Sequence, residues 1–169
     1  MGVFDSLSEG FLFRDTVALV LSVGGVIWIT GKALAVNWRL AKNLDRKILI
    51  FSPNRDLTME KELEVLARPG YFSVPKIVHD YQALNESDIR EAGIVILVYA
   101  KGMDNFEKFI DIISRHEKPL IVYTLELGTM LDESHRRKLM SYKWHVVSST
   151  PLRLVSDIYT TLATYQYGR

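Results

Sequence analysis

The sequence predicts an α/β domain, with a parallel sheet covered by helices on both faces, that follows one membrane-spanning helix. Short apolar runs and amphipathic segments alternate five times after residue 46, as in chains that build a parallel sheet. The run after Gly93 has six apolar residues without a polar interruption, so this strand should be buried on both faces. The long apolar stretch at residues 16–38 predicts the membrane helix.

Residues 16–38 contain a single charge, Lys32. They reach the roughly 20 residues that cross ~30 Å of hydrocarbon if Lys32 extends its ammonium group toward the interface. Trp38 lies where an aromatic anchor is expected. A buried helix of a soluble core is the alternative interpretation. Residues 1–15 form an apolar leader that we expect to lie on the membrane surface.

The charges on either side of this span predict its orientation. The leader is weakly acidic, whereas four basic residues follow the span closely, namely Arg39, Lys42, Arg46 and Lys47. Basic flanks remain in the cytoplasm. We therefore expect a single-pass protein of the cell membrane with its N-terminus outside, a linker helix at residues 39–46 and a cytoplasmic domain at residues 47–169.

Small side chains mark a contact face on the predicted membrane helix. Ala18, Ser22 and Gly25 lie at positions i, i+4 and i+7, so they share one face of a helix. Small residues let two helix backbones approach closely. We expect homo-oligomers that form through this helix and through the α/β domain.

The predicted elements of the domain are, in order, strand 47–51, helix 58–66, strand 74–80, strand 93–99, helix 104–115, strand 119–123, helix 131–142, strand 144–147 and a last helix that begins near Pro151. Pro75 places the second strand at a sheet edge. Residues 88–92 are interpreted as a polar segment that leads into the third strand.

The last helix has the clearest local signals. Thr150 offers a capping hydroxyl and Pro151 occupies the first turn, which is typical of a helix start. Its predicted buried stripe consists of Val155, Ile158, Tyr159 and Leu162. The whole alternation resembles flavodoxin-like folds, which implies three layers and a five-stranded parallel sheet of strand order 2-1-3-4-5, with its switch point between the first and third strands.

Composition and motifs exclude several kinds of chemistry. The net charge is +1 and cysteine is absent, so disulfides cannot form and bulk attraction to a nucleic acid duplex is weak. The four histidines are scattered without metal-ligand spacing, and the glycine-rich phosphate motifs are absent. We expect no metal and no bound cofactor. His116 and His135 lie in polar helical stretches, where we expect solvated side chains.

Ligands of parallel sheets bind beyond the carboxyl ends of the strands. Side chains that can donate hydrogen bonds to a phosphate follow three of the predicted strands, namely Ser52, Arg55, Lys101, Thr124 and Thr129. A small ligand that carries phosphate is therefore predicted at this edge.

Two family resemblances begin at Lys47. The run from Ile48 to Asp56 is similar to the first strand and loop of TIR domains, and Glu107 stands near the position of their NAD-cleaving glutamate. This resemblance implies a membrane-tethered NAD hydrolase with Glu107 as its catalytic residue.

The chain also resembles the Rossmann-like (CARF-like) sensor domains of antiphage effectors. Ser52, Asn54 and Arg55 correspond to the loop after their first strand. Thr124 and the Gly128-Thr129 turn correspond to the segment after their fourth. The resemblance implies a cyclic nucleotide bound by these residues across a dimer interface.

The favoured hypothesis is a non-catalytic sensor of a small nucleotide second messenger for antiphage defence, which perturbs the membrane through its oligomerised helices. The TIR-like hydrolase is one alternative. The other is a membrane adaptor that docks a protein partner.

Overall fold

The computed structural model describes residues 28, 30–35, 37–38, 40–53, 59–66, 72–73, 76–125 and 130–165. The chain divides into two compact units, Met1–Arg39 and Leu40–Arg169. The backbone of the first unit is helical wherever it is described, at residues 28, 30–35 and 37–38. Within the described residues, no helix combines the length and apolarity needed to cross a membrane. The contact face Ala18, Ser22 and Gly25 lies outside the described residues.

The second unit contains a five-stranded parallel sheet. Its strands are β1 (Lys47–Phe51), β2 (Lys76–Val78), β3 (Ala92–Val98), β4 (Leu120–Tyr123) and β5 (His145–Ser148). They lie in the order β2-β1-β3-β4-β5, and every neighbouring pair is parallel. The predicted α/β class, the five parallel strands and their order are confirmed.

Residues 40–44 of this unit are helical. After β1, the helices that the structure describes are α1 (Glu60–Leu66), α2 (Glu86–Glu91), α3 (Phe106–Arg115), α4 (Glu133–Met140) and α5 (Pro151–Thr164), with a short 3-10 turn at Tyr81–Ala83. α2, α3 and α4 cover one face of the sheet, where Val95 and Leu97 of β3 point. α1 and α5 cover the other face, where Ile94 and Ile96 point. All seven residues of β3 are buried, as expected for the central strand of three layers.

Local signals predicted the start of α5 correctly. The Thr150 hydroxyl accepts a hydrogen bond of 3.3 Å from Arg153 N, and Pro151 lies in the first turn. The predicted buried stripe was partly wrong. Leu154, Ile158 and Leu162 are buried, whereas Tyr159 is 47% exposed. Leu154, Ile158 and Leu162 are spaced four residues apart, so they lie along one side of the helix. That side is the one that faces the sheet.

The polar residues before β3 form a helix that the sequence interpretation missed. α2 spans Glu86–Glu91 and buries only Ile89. An amphipathic helix is recognised by apolar residues that recur at helical spacing, and one apolar residue cannot show such a repeat. Acidic residues in its first turn and Arg90 in its last turn complement the helix dipole.

Candidate functional site

An open cleft of about 400 Å³ lies beyond the carboxyl ends of β1, β2 and β3. Residues from three successive loops line it: Phe51 and Pro53 after β1, His79 to Tyr81 after β2, and residues 100–105 after β3. In the order β2-β1-β3-β4-β5, the chain runs from β1 to β2 in one direction across the sheet and from β3 to β4 in the opposite direction. The loops therefore diverge here, which is the place where ligands bind in open α/β sheets.

Aromatic rings form the apolar base of the cleft. Phe51 stacks on Phe109 with ring centroids 4.9 Å apart and an interplanar angle of 20°. Tyr81 meets Phe51 edge-on at 6.5 Å and is half-buried. Because Phe51 and Phe109 are fully buried, they belong to the packed core beneath the cleft. Of these three rings, the half-buried Tyr81 is the one with accessible surface for a ligand ring.

His79 stands on one wall of the cleft with a defined orientation. Its Nδ1 lies 3.0 Å from the carbonyl oxygen of Ser52. A carbonyl oxygen can only accept, so Nδ1 carries the proton and donates. Nε2 then accepts a hydrogen bond in the neutral ring and donates one in the imidazolium form. His79 is exposed, so its ring can reach a bound ligand.

Asp80 and Lys101 bring opposite charges to the same cleft. Asp80 Oδ1 accepts a hydrogen bond of 2.9 Å from Gln82 N and so begins the 3-10 turn that carries Tyr81. Lys101 is exposed and precedes Gly102, which adopts a positive φ of 75°. Asp104 and Asn105 complete the wall after β3. The cleft therefore offers hydrogen-bond donors and acceptors side by side.

The wall formed by residues 100–105 contacts the first turn of α4. Asp132 Oδ2 accepts hydrogen bonds of 3.0 Å from Gly102 N and from the Tyr99 hydroxyl. The Gly102 amide, the Tyr99 hydroxyl and, more weakly, the charges of His135 and Lys101 lower the pKa of Asp132. Burial raises the pKa of the Tyr99 hydroxyl, which favours its role as a donor.

His135 belongs to this network, and the expectation of a solvated side chain was wrong. Its side chain is 12% exposed, its Nδ1 lies 3.0 Å from the Tyr99 hydroxyl, and its ring stacks on Phe106. The polar sequence around it hides these contacts, because the partners are distant in the chain. Asp132 was missed for the same reason.

The predicted ligand residues have different surroundings. Lys101 lines the cleft. Ser52 and Thr124 are both 2% exposed; the backbone of Ser52 holds His79, and the Thr124 hydroxyl donates to the carbonyl oxygen of Ser148 at 3.3 Å. The other four, Asn54, Arg55, Gly128 and Thr129, lie outside the described residues.

Glu107, the catalytic residue in the alternative hypothesis, is exposed in the first turn of α3. It is not among the residues that line the cleft. Among the described residues, no three His, Asp or Glu side chains come together in a group that could hold a metal ion.

A second polar pair lies inside the opposite layer of the domain. Tyr123 donates a hydrogen bond of 2.6 Å to Glu62, and both side chains are buried. The spacing of Glu62 from Met59 and Leu66 places it on the buried side of α1, because those two residues are buried at i−3 and i+4. An acidic residue in an apolar helical row was the signal available in the sequence.

Comparison with known proteins found no family that matches this chain and no curated protein that matches it.

Proposed function

We propose that residues 47–169 form a receptor for a small nucleotide, which binds in the cleft beyond β1, β2 and β3. The observation that supports this most directly is the position of the cleft at the switch point of the sheet, with Lys101 and His79 on its walls. A volume of about 400 Å³ is at the lower end of the range for small-molecule sites. That size suits one nucleotide unit in each protomer.

The mixed chemistry of the walls favours a nucleotide over a simple anion. Lys101 can bind a phosphate, but Asp80 and Asp104 would repel a bare phosphate held at the same place. A nucleotide separates its charges: the phosphate can lie at Lys101 while hydroxyl or amino groups donate to the carboxylates. The half-buried ring of Tyr81, which packs edge-on against Phe51, offers a surface for the nucleobase.

The proposed output is the membrane helix at residues 16–38. In this mechanism nucleotide binding brings domains together, and the residues that follow the span transmit the change to oligomerised helices that perturb the membrane. Support comes from the length and apolarity of the span, from its small residues Ala18, Ser22 and Gly25, and from the short basic linker at residues 39–46. The proposed place of action is the cytoplasmic face of the cell membrane, in antiphage defence.

Thermal unfolding of the full chain in detergent tests the receptor. The probes are AMP, ADP, NAD, cyclic AMP and cyclic dinucleotides, each at several concentrations. A nucleotide at 100 times its Kd should add about 2.7 kcal/mol to the free energy of unfolding. Lys101→Ala should reduce that gain, whereas Lys143→Ala should not, because Lys143 lies just before β5 at the opposite edge of the sheet. No stabilisation by any probe would count against a nucleotide receptor.

Dye-loaded liposomes that contain the full chain test the output separately. The stabilising nucleotide should cause leakage, and Gly25→Leu should reduce leakage because a large side chain keeps helix backbones apart. If the nucleotide binds but causes no leakage, the receptor assignment stands and the proposed membrane output is wrong.

A further inference from the structure

We infer that the first turn of α4 acts as a clamp on the wall of the cleft, and that Asp132 is its positioning residue. The clamp is defined as Asp132 and His135, and the wall as residues 100–105. The role of the wall in ligand recognition rests on the proposed nucleotide function, whereas the clamp itself is argued from contacts alone.

The clamp contacts the residue before the wall, the middle of the wall and the residue after it. Before the wall, Tyr99 donates its hydroxyl proton to Asp132 Oδ2 at 3.0 Å and accepts from Asp132 N at 3.0 Å. In the middle, Gly102 N donates to the same Oδ2 at 3.0 Å. After the wall, Phe106 stacks on His135 with ring centroids 4.4 Å apart. Asp132 and His135 therefore hold the wall at Gly102 and at the two residues that flank it.

The hydrogen atoms of this network can be assigned. Tyr99 has one hydroxyl hydrogen, and it is used in the hydrogen bond that Tyr99 donates to Asp132. Since His135 Nδ1 lies 3.0 Å from the same hydroxyl oxygen, His135 must donate there through Nδ1–H. The phenol thus accepts from the Asp132 amide and from His135 while it donates to the carboxylate. Each polar group that meets at Tyr99 has a partner of the right kind.

Gly102 shows why the wall needs a clamp from outside. Its positive φ of 75° turns the backbone so that the amide points at Asp132. The same turn carries Lys101, whose charge also lowers the pKa of Asp132. If Asp132 no longer accepts from Gly102, the turn loses this fixed point, and the backbone that carries Lys101 is held less firmly at the cleft.

The clamp also joins the wall to the start of α4 at the ligand-binding edge. Asp132 is the N-cap of α4 and follows Thr129, a predicted ligand residue, by three positions. A ligand that displaces the wall would therefore act on the start of α4 through Asp132. Ligand binding at the cleft and the position of that helix start should be coupled in both directions.

Hydrogen exchange of the full chain in detergent tests the clamp without a ligand. Asp132→Ala should make the Gly102 amide exchange about 10-fold faster, the effect of losing one charge-assisted hydrogen bond. Thr150→Ala is the control, because it removes a capping side chain from α5 and should leave exchange in residues 100–105 unchanged. If Asp132→Ala fails to fold, Asp132→Asn should give a smaller increase at Gly102, since it keeps an acceptor oxygen without the charge.

A second measurement uses ADP and cyclic AMP as probes and compares Kd values. For a nucleotide that the wild type binds, Asp132→Ala should raise the Kd about 10-fold, and Thr150→Ala should leave the Kd unchanged. Unchanged exchange in the Asp132 variant, or an equal effect of both variants on the wall, would overturn the clamp. If the wild type binds neither nucleotide while Asp132→Ala still speeds exchange of the wall, the clamp stands and the proposed nucleotide function loses support.

Discussion

The Tyr123 hydroxyl donates a hydrogen bond of 2.6 Å to Glu62 Oε1, inside the apolar layer between the sheet and the helices α1 and α5. Tyr123 is fully buried and Glu62 is 7% exposed. Burial and the adjacent carboxylate raise the pKa of Tyr123 far above its usual range, so the phenol remains a donor at neutral pH. A buried carboxylate without such a donor would be costly.

Tyr123→Phe should therefore destabilise the protein by about 1–3 kcal/mol, because Glu62 keeps its burial and loses its donor. Glu62→Gln should cost less, under about 1 kcal/mol, since the amide keeps an acceptor oxygen and removes a buried charge. Thermal unfolding of both variants, as full chains in one detergent, compares them. A loss in Glu62→Gln that equals or exceeds the loss in Tyr123→Phe would contradict this account.

The same pair shows how far sequence reasoning reaches. Strands such as β3 were predictable because an uninterrupted apolar run of this length is typical of a strand buried on both faces. α5 was predictable because Thr150 and Pro151 act locally. Glu62 and Tyr123 are 61 residues apart in the chain, and Tyr99 and Asp132 are 33 apart. No local pattern specifies such partners. The edge of the sheet that carries the cleft was therefore predictable, while the residues that fix its walls were not.

Gly93 is required by close packing, so Gly93→Ala should be destabilising. Lys47 pairs with Ala92 and Ile48 with Ile94, which leaves Gly93 as the extra residue of a bulge. A Cβ at this position would lie 2.5 Å from Arg46 Cβ, an atom that can move only with its backbone. We expect a loss of about 1–3 kcal/mol in the free energy of unfolding, measured by thermal unfolding. A variant as stable as the wild type would show that the bulge relaxes freely.

Gly102 is required for a different reason, its backbone conformation. Its φ is 75°, and an added Cβ would have nothing within 4 Å. Gly102→Ala should therefore lose about 1–2 kcal/mol through backbone strain alone. Gly102→Asn is the matched variant, because asparagine tolerates the left-handed region better than alanine. Thermal unfolding should rank asparagine above alanine at this position, and the reverse order would argue against strain as the cause.

Asp132 should make the stability of the domain depend on pH in the acidic range. Hydrogen bonds from Gly102 N and from Tyr99 lower its pKa in the folded protein, relative to about 3.9 in an unfolded chain. A carboxyl with a lowered folded-state pKa stabilises the protein above the unfolded value, and this stabilisation is lost as pH falls through the folded value.

The difference in Tm between wild type and Asp132→Asn should therefore be constant from pH 7 to about pH 5 and should shrink below about pH 4. Thr150→Ala is the control, because it removes no titratable group and its deficit in Tm should not follow the same curve. Measurement of Tm for the wild type and the two variants at each pH separates a loss that depends on the Asp132 charge from one that does not. A deficit of Asp132→Asn that persists undiminished as the carboxyl becomes protonated would mean that its charge does not stabilise the turn, and that the shape of the side chain is what Gly102 and Tyr99 require.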